Sequence, residues 1–232
     1  FYQDAVIFIT GATGFLGKVL VEKLLRSCKN IKKIYLLIRR KKESNSTERL
    51  ALLLKSECFE RLRQECPANL NKVAVVDGDL AEENLGLNFG DYQRLASEVS
   101  VVFHCAATTR LNNTLRNAVK INVEGTKSVL ELCHIMKGIK AIVHVSTVFV
   151  KCEEYTLEEQ IYPSTVKPDD IISTMNEDAL QERTPGLLGA KPNTYVFSKS
   201  LAESVVAEYG RALPAVIVRP SIVSASWKEP FP

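Results

Sequence analysis

The sequence predicts an α/β fold built on a doubly wound parallel sheet, and three observations carry that prediction. Six short apolar runs, at residues 5–10, 33–39, 73–76, 101–106, 141–147 and 214–219, are rich in β-branched residues and continuous rather than alternating. Continuous runs of this length suit strands covered on both faces. Stretches with helical spacing lie between them, at 14–28, 46–65, 112–136 and 194–211. Strand and helix in alternation make repeated βα units with right-handed crossovers. A glycine-rich turn joins the first run to the first helical stretch.

The bulk properties agree with a folded domain. The chain has 232 residues, of which 46% are hydrophobic and 25% charged. That composition excludes a disordered or collagen-like chain, and a chain of this size buries roughly 70% of its unfolded surface. No apolar run reaches the ~18 residues of a membrane span. A net charge of +3 is too mild to make nucleic acid the main partner. Six cysteines, at 28, 58, 66, 105, 133 and 152, form no CxxC pair. This argues against zinc or any other metal site and against thioredoxin-type chemistry. Free thiols in a reducing, intracellular compartment are expected, and no signal peptide is present. Phe1 stands where a starting methionine would, just before a strand, and residues 227–232 are Pro-rich coil. The expectation is a piece of a longer protein, cut close to its amino end and far from its carboxyl end.

The first strand leads into Gly11-Ala12-Thr13-Gly14-Phe15-Leu16-Gly17, and the helical spacing of Val19, Leu20, Leu24 and Leu25 follows. Gly11 permits a tight turn, Gly14 a close backbone approach to a pyrophosphate, and Gly17 packing of the helix on the sheet. Thr13, Phe15 and Leu16 lie between them and join the candidate cofactor site. The second strand ends at Arg39-Arg40-Lys41-Lys42. An acidic residue there would select NAD, whereas a guanidinium accommodates a 2′-phosphate. Arg39 is therefore the candidate, and NADPH the expected cofactor. Asp79 and Leu80 follow the third strand, either as a turn or as a carboxylate bonding the adenine amino group. The small residues Ala106 and Ala107 end the fourth, where backbone would pass the pyrophosphate. His104, His134 and His144 read as core residues. Residues 151–191 break the rhythm with prolines and acidic residues, and read as a long loop excursion between the fifth strand and the last helix.

Tyr195 and Lys199 lie four apart on that last helix, hence on one face. A neighbouring ammonium would favour the ionised phenol and pull its pKa down. A strand-end hydroxyl, Thr147 or alternatively Ser146, would complete a clamp for a developing oxyanion. Strand carboxyl ends are where such sheets place their chemistry.

Residues 10–17, Thr147 and the Tyr195/Lys199 pair together resemble the extended short-chain dehydrogenase/reductase superfamily of Rossmann-type folds. More specifically, residues 10–28 (TGATGFLGKVLVEKLLRSC) resemble the opening of the alcohol-forming fatty acyl-CoA reductases. So do residues 34–39, 102–107, 122–126, 144–147 and 218–223 (VRPSIV). The resemblance spans essentially the whole chain and implies NADPH-dependent reduction of a long-chain acyl-CoA, through an aldehyde, to a primary alcohol. By position it implies that Tyr195 donates a proton, that Thr147 holds the oxyanion, and that Lys199 tunes Tyr195 and binds ribose. It further implies that Asn122 supports a proton relay and that Pro220, Ser221 and Ile222 flank the nicotinamide. It makes residues 1–232 a cofactor-binding reductase domain lacking the family's carboxyl-terminal substrate region. It also places the protein at a peroxisomal or endoplasmic-reticulum membrane, facing the cytosol. The alternatives are another extended reductase, with a sugar-nucleotide or carrier-protein thioester substrate, or a non-catalytic NADP-sensing module on the same fold.

Overall fold

A computed structural model describes residues 1–40, 44–164, 166–173 and 177–230, with backbone only at 177–179. Six strands form one parallel sheet in the order β3-β2-β1-β4-β5-β6. They are β1 (Val6–Thr10), β2 (Lys33–Ile38), β3 (Val73–Asp77), β4 (Val101–His104), β5 (Ala141–Val145) and β6 (Ala215–Val218). All six expected runs are strands. The second and the last three stop one or two residues sooner than the apolar runs do. The residues beyond, such as Ala106 and Thr147, leave the hydrogen-bond ladder to line a cleft.

Both faces of the sheet are covered at β1, β2 and β4, which is why those strands are continuously apolar, whereas at the edge strand β6 Val216 and Val218 are exposed. On one face Ile7, Ile9, Ile34 and Leu36 pack against Val21, Leu24 and Leu25 of α1 (Phe15–Ser27) and Leu53 of α2 (Ser46–Lys55). Leu62 of α3 (Glu60–Glu65) joins this layer. On the other face Phe8, Tyr35 and Val102 meet Leu95 of α4 (Phe89–Glu98) and Val119 of α5 (Leu115–Val119). The same layer holds Val129 and Leu130 of α6 (Gly125–His134).

The helical reading needs four corrections. The stretch 46–65 is two helices, because Ser56 adopts an extended conformation (φ −64°, ψ 157°) and a 3₁₀ turn follows. A one-turn π-helix, Lys120–Glu124, interrupts the stretch 112–136. Helix α4 was not anticipated. Only Leu95 and Ala96 of it are buried, so apolar periodicity is silent, although Asn88 caps it by accepting from the Asp91 N–H. The excursion at 151–191 is not all loop: it carries α7 (Pro168–Ser173) and α8 (Glu177–Leu188) before α9 (Thr194–Tyr209).

The sheet order reverses between β1 and β4. In a doubly wound sheet the crevice beyond the carboxyl ends of the strands at that switch point is the ligand site.

Candidate active site

A cleft of about 1030 Å³ opens at that switch point. Its first wall is the turn after β1. Gly11 sits at φ +75°, and a Cβ there would lie 2.6 Å from the Ala106 nitrogen. A Cβ on Gly17 would lie 2.2 Å from the Gly11 carbonyl oxygen. The two glycines are thus required by backbone-to-backbone contacts, with no side chain able to yield. Gly14 caps α1 without a side-chain hydrogen bond, and the first turn of α1 carries no acidic residue. The positive end of the helix and its free N–H groups therefore face the cleft unopposed, a setting that fits a pyrophosphate.

The second wall is the end of β2. Arg39 lines the cleft, half exposed, 3.8 Å from the Asp79 carboxylate. Asp79 forms a turn, one carboxylate oxygen accepting from the Ala81 N–H at 3.1 Å, and it lines the cleft with Leu80. Arg40 turns aside onto Asp77 at 2.8 Å, and its guanidinium holds that carboxyl below its usual range. Lys41 and Lys42 lie outside the described residues. Sequence reasoning missed Arg49. This residue donates to the Arg39 carbonyl and to the Thr13 hydroxyl, and lines the cleft beside both. Burial and the nearby Arg39 lower its pKa. The signal was local: Asn45 and Glu48 form a reciprocal capping box that starts α2 one residue after Asn45 and puts Arg49 in its first turn.

The floor is held by buried polar side chains. Thr126 donates to the Asn122 carbonyl at 2.6 Å, so His104 Nε2, 3.0 Å from the Thr126 hydroxyl, must be the donor of that pair. His104 Nδ1 is then the acceptor for the Thr10 hydroxyl at 2.7 Å, and Thr10 in turn accepts from the Ala106 N–H. One neutral imidazole thus ties β1, β4 and α6 together. Burial, with Lys199 adding to it, pushes His104 down to about 3. His134, expected in the core, is instead exposed and bonds the Tyr209 carbonyl at 2.7 Å. Asn122 does not line the cleft. It is buried, and its amide is engaged by the Thr108 backbone and the Ser198 hydroxyl. It lies in the π-turn and ties residue 108 to α9.

Tyr195, Lys199, Thr147 and Ser146 all line the cleft. Asn193 caps α9 by accepting from the Val196 N–H at 2.9 Å, which sets Tyr195 in the first turn. Thr147, just past β5, lies close enough to the Tyr195 phenol to lower its pKa, and its hydroxyl accepts from the Phe149 N–H at 3.3 Å, while the buried Ser146 hydroxyl has no partner. The expected lowering of Tyr195 by Lys199 is not what the geometry gives. Burial raises the Tyr195 pKa, and only Thr147 opposes it. Lys199 lies one turn deeper, fully buried, and donates to His144 Nε2 at 3.0 Å and to the Val145 carbonyl at 2.8 Å. Burial brings it down to about 8. Pro220, Ser221 and Ile222 close the far wall after β6. Arg219 anchors that wall by bonding Glu203 of α9 at 2.7 Å and the Glu158 and Gln160 carbonyls.

Residues 9–232 match an NAD-binding family described as Male sterility protein. The chain is 44% identical to fatty acyl-CoA reductase 1 of Xenopus laevis and 42% identical to fatty acyl-CoA reductase 1 of Homo sapiens. Each match covers all of this chain and 46% of the relative, so the chain spans about half the length of the curated relatives it matches. Among solved structures, it is similar to the terminal R domain of the myxalamid PKS-NRPS biosynthetic pathway, with 28% identity and a TM-score of 0.66. That similarity covers 94% of this chain and 49% of the R domain.

Proposed function

The chain belongs to the NAD-binding family described as Male sterility protein, and from that premise we propose that it is the cofactor-binding and catalytic part of an NADPH-dependent fatty acyl-CoA reductase. Its substrate is a long-chain acyl-CoA thioester, and its product, through an aldehyde, is a primary alcohol. The observation that carries this reading is that Thr147, Tyr195 and Lys199 line the same cleft that the glycine turn opens, with Lys199 one helical turn beyond Tyr195.

A reduced nicotinamide dinucleotide supplies the hydride when bound. The glycine cradle and the amino end of α1 would hold its pyrophosphate. Arg39 and Arg49 would flank its 2′-phosphate, a planar-donor pairing that favours NADPH over NADH. Tyr195 stays protonated at neutral pH because burial raises its pKa, and so it can give its proton to an oxygen on which negative charge develops. Thr147 donates to the same oxygen and orients the phenol. Lys199 supplies positive charge and a donor at the cleft floor.

A product assay on the full-length protein tests this reading, with NADPH and a panel of acyl-CoA, acyl-carrier and sugar-nucleotide substrates. Alcohol is expected from long-chain acyl-CoA. Turnover of only the carrier-bound or sugar-nucleotide substrates would sink the acyl-CoA assignment. We also place the whole protein at a peroxisomal or endoplasmic-reticulum membrane facing the cytosol, and the six free cysteines fit a reducing compartment. Among the described residues no helix is long and apolar enough to cross a membrane.

A further inference from the structure

Lys199 meets its surroundings through two acceptors. Its ammonium has three protons, and two go to His144 Nε2 and the Val145 carbonyl. The third is left for the cleft that Lys199 lines. Lys199 is 2% exposed and His144 1% exposed, so neither has solvent to replace the other.

The remaining charged or titratable groups around Lys199 are already engaged or neutral. Glu203, one turn further along α9, is paired with Arg219. Tyr195, one turn earlier, is raised by burial and stays a neutral phenol. Beyond β4, burial pushes the Cys105 thiol up to about 11, which keeps it neutral. The His104 ring lies 5.2 Å from that of His144, and both its nitrogens are bonded to threonine hydroxyls. His144 is thus the side-chain acceptor that keeps the ammonium in place. To accept at Nε2 it must be neutral with its proton on Nδ1. That nitrogen is buried with no partner, a cost the fold carries in order to present Nε2 to Lys199.

We propose that His144 is a positioning residue for the reductase site: its neutral imidazole holds the Lys199 ammonium against the Val145 carbonyl, and so sets the pH range over which the cleft binds reduced dinucleotide. This inference rests on the reductase reading above. Burial already brings Lys199 down to about 8. Removing an acceptor from a buried ammonium makes the charged form costlier still, which moves the midpoint lower. A glutamine at 144 places its amide oxygen near the position of Nε2 and restores an acceptor.

The test is NADPH affinity of the intact protein, by fluorescence titration from about pH 6 to 10, for the unmutated protein, His144→Leu and His144→Gln. The unmutated protein should lose affinity as pH rises, with a midpoint near 8. His144→Leu should move that midpoint down by roughly one pH unit, the scale of one hydrogen bond to a charged group. His144→Gln should return it close to the unmutated value. An equal loss at every pH in both variants, or an unmoved midpoint in His144→Leu, would overturn the proposal. If His144→Leu does not fold, ¹⁵N-histidine NMR of the unmutated protein decides. His144 should remain neutral with its proton on Nδ1, and its Nε2 resonance should shift as Lys199 titrates. An imidazolium at pH 6, or a proton on Nε2, overturns the idea. Absence of NADPH binding at every pH would instead count against the reductase reading, and the NMR measurement would still judge His144 by itself.

Discussion

The two ends of the cleft are built from different materials. At the glycine turn, contact is backbone on backbone: Gly11 against Ala106, Gly17 against the Gly11 carbonyl. At the candidate catalytic end, side chains from β5 and α9 meet deep in the fold, through the bonds of Lys199 to His144 and Val145. The first construction packs backbone on backbone and fails by steric collision. The second joins residues some fifty apart in the chain and fails by losing a donor, an acceptor or a charge. Substitutions at the first end should therefore affect binding, and those at the second end chemistry.

The largest effect separates the two ends most sharply. Tyr195→Phe removes one hydroxyl and keeps the ring, so folding and NADPH affinity should stay near normal. Alcohol formation by the full-length enzyme should fall on the order of 10²–10⁴-fold, the usual loss of a general acid. Single-turnover NADPH oxidation with saturating acyl-CoA reads this, and a nearly full rate would remove Tyr195 from the proton-donor role. Thr147→Ala comes next. Loss of one oxyanion donor costs about 10²–10³-fold in kcat, with little change in cofactor affinity. A loss confined to KM would reassign Thr147 to substrate binding.

At the other end the predicted signature is inverted. Gly11→Ala must place a Cβ at 2.6 Å from the Ala106 nitrogen at a positive φ. Cofactor affinity should drop at least roughly tenfold, from a strain of about 1–3 kcal/mol. Turnover of the remaining bound fraction should be spared. Equilibrium titration alongside kcat at saturating NADPH distinguishes these, and a kcat loss at unchanged affinity would break the division between the two ends. Arg39→Ala and Arg49→Ala should each narrow the preference for NADPH over NADH by about tenfold, from one charge-assisted contact. NADH affinity should hardly move. Equal affinity of the unmutated protein for both cofactors would refute the 2′-phosphate assignment.

The smallest effect concerns the seam between the ends. Burial, with Lys199 adding to it, lowers His104 from the ordinary imidazole value of 6.5 to about 3. A depressed folded-state pKa means that the unfolded chain binds the proton first as pH falls. Stability is then fully present above about 6.5 and declines from there towards about 3. His104→Gln should flatten that acid slope in urea melts, and an unchanged slope would place the acid sensitivity elsewhere.

Much of this was legible from the chain itself. The central strands could be read because both faces of the sheet are covered there, which makes each of them continuously apolar. The glycine cradle could be read because it depends on three small residues at fixed spacing after a strand. Arg39, Thr147, Tyr195 and Lys199 could be read because each sits at a strand end or on one helical face. Helix α4 could not, since so little of it is buried that its spacing carries no apolar stripe. Arg49 could not, because its place in the cleft depends on how α2 is capped and laid against the turn.

The sequence by itself thus determined the strand–helix alternation, the glycine turn and which candidate side chains would line the cleft. All of these are set by local spacing and by which residues must leave water. Only the tertiary structure decided where those side chains point. It turned Lys199 towards His144 and the Val145 carbonyl, and buried Asn122 against residue 108 and Ser198. It also made burial the main influence on Tyr195. Each of those outcomes depends on distances between residues remote in sequence and on the loss of solvent around them, and neither quantity exists until the chain has folded.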